Sequence, residues 1–124
     1  MDWNLTNDRP IYLQLEEILL QAIASGQYPA GSRLPAVREL AAEAGVNPNT
    51  MQRALTDLER EGLLYSQRTA GRFVTDEIEQ IRGKRRELAM TQVQNFLTSM
   101  KEMGFSAEEI VEMMEQAIRK EEEA

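Results

Sequence analysis

The sequence predicts a mainly α fold with one small β-hairpin: a winged helix-turn-helix followed by a two-helix C-terminal tail. Three observations predict it. Three amphipathic segments before Gly62 each start and stop at proline, asparagine or glycine, the residues that bound helices. Two short β-prone runs, Leu63 to Gln67 and Arg72 to Thr75, then flank the connection Arg68-Thr69-Ala70-Gly71, as in a hairpin. From Asp76 onward the apolar residues again recur every three to five positions. The expected domains are therefore residues 1–75, the winged helix-turn-helix, and residues 76–124, the helical tail.

In the first segment, Pro10 stands at a first helical position and Gly26 just past the end. Leu15, Ile18, Leu19, Ala22 and Ile23 lie between them at the spacing of one buried helix face. A shorter helix around Val37 to Ala44 follows Leu34-Pro35 and is closed by Gly45. The third helix is bounded most sharply: Asn47 caps it, Pro48 fits its first position, and Val46 with Met51 forms a hydrophobic staple. Steps of about 100° per residue put Met51, Ala54, Leu55 and Leu58 on one side. Asn49, Gln52, Arg53, Thr56 and Arg60 lie on the other, so one face packs and the other is free. In the tail, Gly83 is a place where the helix can bend or weaken. The last helix opens on Ser106 and Glu109 at capping-box spacing, with Phe105 and Ile110 as a second staple.

Composition narrows the chemistry. The chain has no cysteine and no histidine, which removes disulfides, thiolate metal sites and the usual general base, so an enzyme is not expected. No metal site and no cofactor motif is read. No run of residues is long and apolar enough to span a membrane, and the N-terminus lacks the pattern of a signal peptide, so a cytoplasmic protein is expected. The net charge of −7 opposes nucleic-acid binding, because affinity for DNA comes largely from neutralised phosphates. What matters is where the charge lies, and Gly62 to Thr75 holds Arg68 and Arg72 with no acid.

The exposed face of the third helix offers Asn49, Gln52 and Arg53, side-chain types that bond adenine or guanine edges in the major groove. By itself that pattern also describes an ordinary surface helix. The fixed-spacing elements around it are more specific: Pro10-x-Tyr12-x-Gln14-Leu15, Arg33-Leu34-Pro35-x-x-Arg38-x-Leu40-Ala41, Val46-Asn47-Pro48-Asn49-Thr50 and Gly71-Arg72-Phe73-Val74. Over roughly residues 9–75 the chain resembles the gluconate-repressor (GntR) family of transcription regulators. The Asn-Pro-Asn-Thr run and the short tail are most similar to its YtrA-type branch, which implies a dimeric repressor, often of a transporter operon.

The resemblance implies that Arg33 and Arg38 touch phosphate or base edges, and extends the DNA-binding set to Asn47, Asn49, Thr50, Gln52, Arg53, Arg68, Thr69 and Gly71. Thr50 could donate to phosphate or cap its helix. Gly71 could admit close backbone approach in the minor groove or serve only the turn. One departure stands out: the family commonly has serine where this chain has Ala36, so a cap and a possible phosphate donor are missing. The partner implied is double-stranded operator DNA with half-sites about one helical turn, or a multiple, apart. No small-molecule effector can be named.

The tail has a burial problem. Two helices cannot enclose a core alone, yet Ile81, Leu88, Val93, Phe96, Leu97, Met100, Ile110, Val111, Met114 and Ile118 are too many apolar residues to leave in water. A homodimer is expected, with all of these but Val111 assigned to its interface. The tail's methionines suit packing or an adaptable ligand pocket. An alternative use of the same fold is a protein-interaction module, suggested by the acidic balance and opposed by the polar, partly basic third-helix face. A hydrolase built on Glu16 and Glu17 is excluded, because adjacent helical residues do not converge.

Overall fold

In the computed structural model, which describes residues 1–124, Pro10 lies at φ −53° and ψ 135° and leads the chain into α1 (Ile11–Ala24). The proline takes the capping place just before the helix, not its first turn, because its ring tolerates an extended ψ where no helical N–H is required. Helix α1 buries Leu15, Leu19, Leu20, Ala22 and Ile23, whereas Ile18 is only half-covered. Gln14 is buried instead, 3% exposed, with its amide fully employed. Its Nε2 donates to the carbonyls of Thr6 and Arg9, both at 2.9 Å, and its Oε1 accepts the Thr6 N–H at 2.8 Å. One side chain thereby ties down the whole segment ahead of the helix.

Helix α2 (Val37–Ala44) begins at Ala36, whose side chain makes no cap, as the missing serine leads one to expect. It ends at Gly45 in the left-handed region, φ 70° and ψ 35°, which lets the Val46 N–H reach back to the Ala41 carbonyl at 3.0 Å. Helix α3 (Pro48–Arg60) starts as its sequence predicts, with the Asn47 side chain accepting the Asn49 N–H at 2.7 Å and Pro48 in the first turn. Met51, Ala54, Leu55 and Leu58 are buried against the core that α1 and α2 supply. Burying Met51, Leu55 and Leu58 contributes roughly 1.5–3 kcal/mol each, and the Ala54 methyl less.

Strands β1 (Leu64–Gln67) and β2 (Gly71–Val74) form the antiparallel hairpin, pairing Leu64 with Val74 and Gln67 with Gly71. Tyr65 and Phe73 stack across it with ring centroids 5.7 Å apart. The other edge of β2 is also occupied. Gly31 donates to Val74, Val74 to Ser32 and Leu34 to Arg72, each at 2.9 Å, so residues 31–34 act as a short third strand. No local pattern in Gly31-Ser-Arg-Leu announces this pairing.

The chain forms two compact units, Met1–Arg86 and Glu87–Ala124. The first extends past residue 75 because the opening turns of helix α4 (Ile78–Glu102) dock on it. Ile81 is buried there, and the Gln80 amide donates to the Glu61 carbonyl at 2.8 Å. Gly83 does not interrupt α4. In the second unit Gly104, at φ 94°, ends the turn after α4. Helix α5 (Ala107–Glu122) then opens on the expected reciprocal cap, Glu109 N–H to Ser106 Oγ at 3.2 Å and Ser106 N–H to Glu109 Oε1 at 2.9 Å.

Candidate nucleic-acid interface

Helix α3 presents its polar face because its apolar residues are spent on the core. Pro48 to Thr56 contains no acid, and Asn49, Gln52 and Arg53 are exposed on it. The acids of α3, Asp57 and Glu59, are confined to its second half and point to partners. Asp57 takes an exposed ion pair from Arg60 at 3.2 Å. Glu59 reaches the hairpin, where it accepts from Arg72 Nε at 2.7 Å and from the Ser66 hydroxyl. Burial alone would raise the Glu59 carboxyl, but these hydrogen bonds and the guanidinium charge hold it below the usual glutamate range.

The hairpin tip turns through Arg68, Thr69 and Ala70, with Thr69 at φ 68° and Gly71 at φ 106°. Arg33 lies against this glycine: a Cβ there would stand 3.1 Å from Arg33 Nε and 3.5 Å from Nη2. Gly71 therefore serves the backbone geometry and also leaves room for Arg33. Between the tip and the start of α2 opens a cleft of about 470 Å³, lined by Arg33, Ala36, Val37, Ser66, Thr69 and Gly71. The uncapped first N–H groups of α2 lie at its rim, where an anion is favoured. Arg38, in the first turn of α2, and Arg68, at the tip, are exposed and form no ion pair.

Arg33, Arg38, Asn49, Gln52, Arg53, Arg68, Thr69 and Gly71 thus all lie on exposed or cleft-lining surface of the first unit. Of the two remaining assignments, Asn47 carries structural work as well. Asn47 spends its carbonyl oxygen on the helix cap, and Thr50 is half-buried beside it. Gln52 donates to Thr56 at 3.3 Å, a weak bond that leaves its amide available. Arg72 is claimed by Glu59, which leaves Arg68 as the free charge of the hairpin.

Sequence reasoning missed two residues of α1. The Tyr12 ring lies beneath the Arg53 guanidinium, 3.6 Å from its centre. Glu16, one turn further on, is pushed up to about 7 by burial and by the nearby acids Asp57 and Glu61, against the pull of Arg53. The helical phases of Tyr12, Glu16, Arg53 and Asp57 could have suggested the match, but only once α1 and α3 were known to be neighbours. Glu17 points elsewhere, to a bidentate pair with Arg9 at 2.8 and 3.0 Å, so Glu16 and Glu17 do not converge.

Among the tail residues assigned to a dimer interface, Ile81 and Ile110 are corrected. They are 7% and 0% exposed in the single chain, which leaves them almost no surface to offer a second copy. Val93, Phe96, Met114 and Ile118 remain exposed, and Leu88, Leu97 and Met100 are half-covered. No helix is long and apolar enough to cross a membrane, and no cluster of acidic side chains is arranged to hold a metal.

Comparison with known proteins agrees with this geometry. Residues 11–74 match the model of the family described as bacterial regulatory proteins, gntR family. An HTH-type transcriptional regulator, YhcF of Bacillus subtilis, is 33% identical over 112 residues, covering 90% of this chain and 93% of its own. The repressor YtrA of the same organism is 37% identical over 67 residues, 54% of this chain and 52% of its own. Among solved structures, a GntR family transcriptional regulator from Listeria monocytogenes superposes with a TM-score of 0.82 at 32% identity, covering 90% of this chain and 98% of the other. The DNA-binding domain of AraR in complex with operator ORX1 gives 0.53 at 32% identity, over 60% of this chain and 92% of the other. The family match runs from the first residue of α1 to the last of β2 and so takes in all three helices and the hairpin: the chain is a DNA-binding transcription regulator of the GntR family.

Proposed function

We propose that the chain is a repressor that binds a pseudo-palindromic operator as a homodimer, with α3 in the major groove and the hairpin tip in the adjacent minor groove. The observation that carries this reading is the segregation of charge in an acidic molecule. The first half of α3 carries no acid, and Arg33 before α2, Arg38 in its first turn and Arg68 at the hairpin tip are exposed and form no ion pair. Asn49, Gln52 and Arg53 are assigned to base edges, and Arg33, Arg38, Asn47, Thr50 and Thr69 to phosphates and sugars. Gly71 and Arg68 are assigned to the minor groove. Dimerisation is supported by Phe96 and Ile118, 41% and 56% exposed, in a tail whose only residues under full cover are Ile81 and Ile110. Two copies joined this way would engage two half-sites at once, in the cytoplasm, where operator DNA lies.

The test is a salt titration of binding to duplexes enriched from a random pool. The expected outcome is a steep, linear fall of log affinity with log salt, and Arg38→Ala should reduce that slope by about 1, because one phosphate contact is lost. Affinity that does not respond to salt would reject the phosphate assignments. Binding to a protein partner with no enrichment of any duplex would reject the DNA reading altogether.

A further inference from the structure

Arg53 and Arg72 are both arginines beside α3, yet they are held in opposite ways. Arg72 gives its Nε to the Glu59 carboxylate at 2.7 Å, so part of its donor fork is consumed. Arg53 forms no salt bridge, although its charge reaches Glu16; its guanidinium carbon sits over the Tyr12 ring, 3.6 Å from the ring centre. A cation–π contact engages the face of the guanidinium and leaves the N–H groups around its edge unspent. It also removes part of the rotamer freedom that an exposed arginine would lose on binding.

We propose that Tyr12 is a positioning residue for DNA specificity: it holds Arg53 edge-outward beside Asn49 and Gln52, ready to bond the O6 and N7 of a guanine. The inference rests on the DNA-reading role proposed above and adds to it a residue of α1, a helix that supplies none of the assigned base contacts. The arrangement follows from the packing of α1 against α3. Tyr12 and Glu16 lie one turn apart on α1, Arg53 and Asp57 one turn apart on α3, and each pair meets its counterpart. A salt bridge from α1 would have anchored Arg53 equally well, but it would have consumed the bidentate edge that a guanine requires.

The experiment uses the full chain and a random duplex pool. The wild type is first allowed to enrich its preferred sequence, and each base of that sequence is then varied singly. Tyr12→Met keeps the bulk of the side chain and removes the ring face; Tyr12→Phe keeps the ring. The expected result is that Tyr12→Met lowers discrimination at one guanine position by about fivefold, with affinity for random duplex nearly unchanged, and that Tyr12→Phe restores it. In an Arg53→Lys background, which retains charge but not the planar fork, the Tyr12→Met effect should disappear. Unfolding midpoints of all variants separate this from a loss of fold, and Arg53→Lys, an exposed change, keeps the test decisive if Tyr12→Met is unstable. Equal discrimination by the wild type, Tyr12→Met and Arg53→Lys overturns the proposal while leaving DNA binding intact, as does tighter operator binding by Tyr12→Met. A wild type that enriches no sequence overturns both readings together.

Discussion

Glu16 illustrates how a single residue can set a pH dependence far from any catalytic chemistry. Its carboxyl faces Asp57 and Glu61 across the α1 and α3 packing and is raised from an ordinary 4.5 to about 7 by burial and by those acids. As pH rises through 4.5 the unfolded chain gives up this proton while the folded chain retains it, so the fold loses stability across the interval up to about 7 and levels off above it. Glu16→Gln cannot ionise and should remove that slope. Urea unfolding at about pH 5 and about pH 8 measures it, and the expected result is a larger gain for the variant over the wild type at the higher value. An equal difference at both values would mean that the carboxyl titrates normally. Tyr12, Glu16 and Glu59 escaped the sequence reading for a common reason: each acts on a residue of another element, and helical phase says which side a residue faces but not what lies opposite.

Among the elements, α3 was the most legible, and its legibility was local. The cap at Asn47, the proline at 48, and the stripe Met51, Ala54, Leu55 and Leu58 depend on neighbours within a turn or two, and all stand where the sequence put them. Asn47→Ala should therefore cost about 1 kcal/mol of stability, read as a lower urea midpoint at unchanged slope. A cost near zero would show that Pro48 alone sustains the helix start. The hairpin was legible in its strands and not in its surroundings. Arg68 and Arg72 look equivalent in sequence, yet only Arg72 comes within reach of Glu59, thirteen residues away. The pairing of residues 31–34 with β2 was equally hidden, since it joins segments some forty positions apart with no alternation of side chains to signal it.

At the scale of the whole molecule, the unsolved burial is in the tail. Periodicity identified its apolar positions correctly but could not distinguish those covered within the chain, Ile81 and Ile110, from those left exposed, such as Val93, Phe96 and Ile118. Phe96→Asp places a charge where a second copy is proposed to pack, and should convert a dimer to a monomer in sedimentation while leaving helix content unchanged. Operator affinity should fall with it, because two half-site contacts no longer act as one bivalent ligand. A variant that sediments as the wild type would move the dimer contact elsewhere on the tail.

The short third strand has a consequence for how such a regulator diversifies. Ser32 and Leu34 are bonded to the same strand that carries Gly71 and Arg72, so the entrance to α2 and the hairpin fingertip share one backbone lattice. Neither can be re-aimed without dragging the other. Over evolutionary time, recognition of a different DNA target is therefore reached most readily by exchanging side chains on an unchanged frame, and least readily by bending the frame itself.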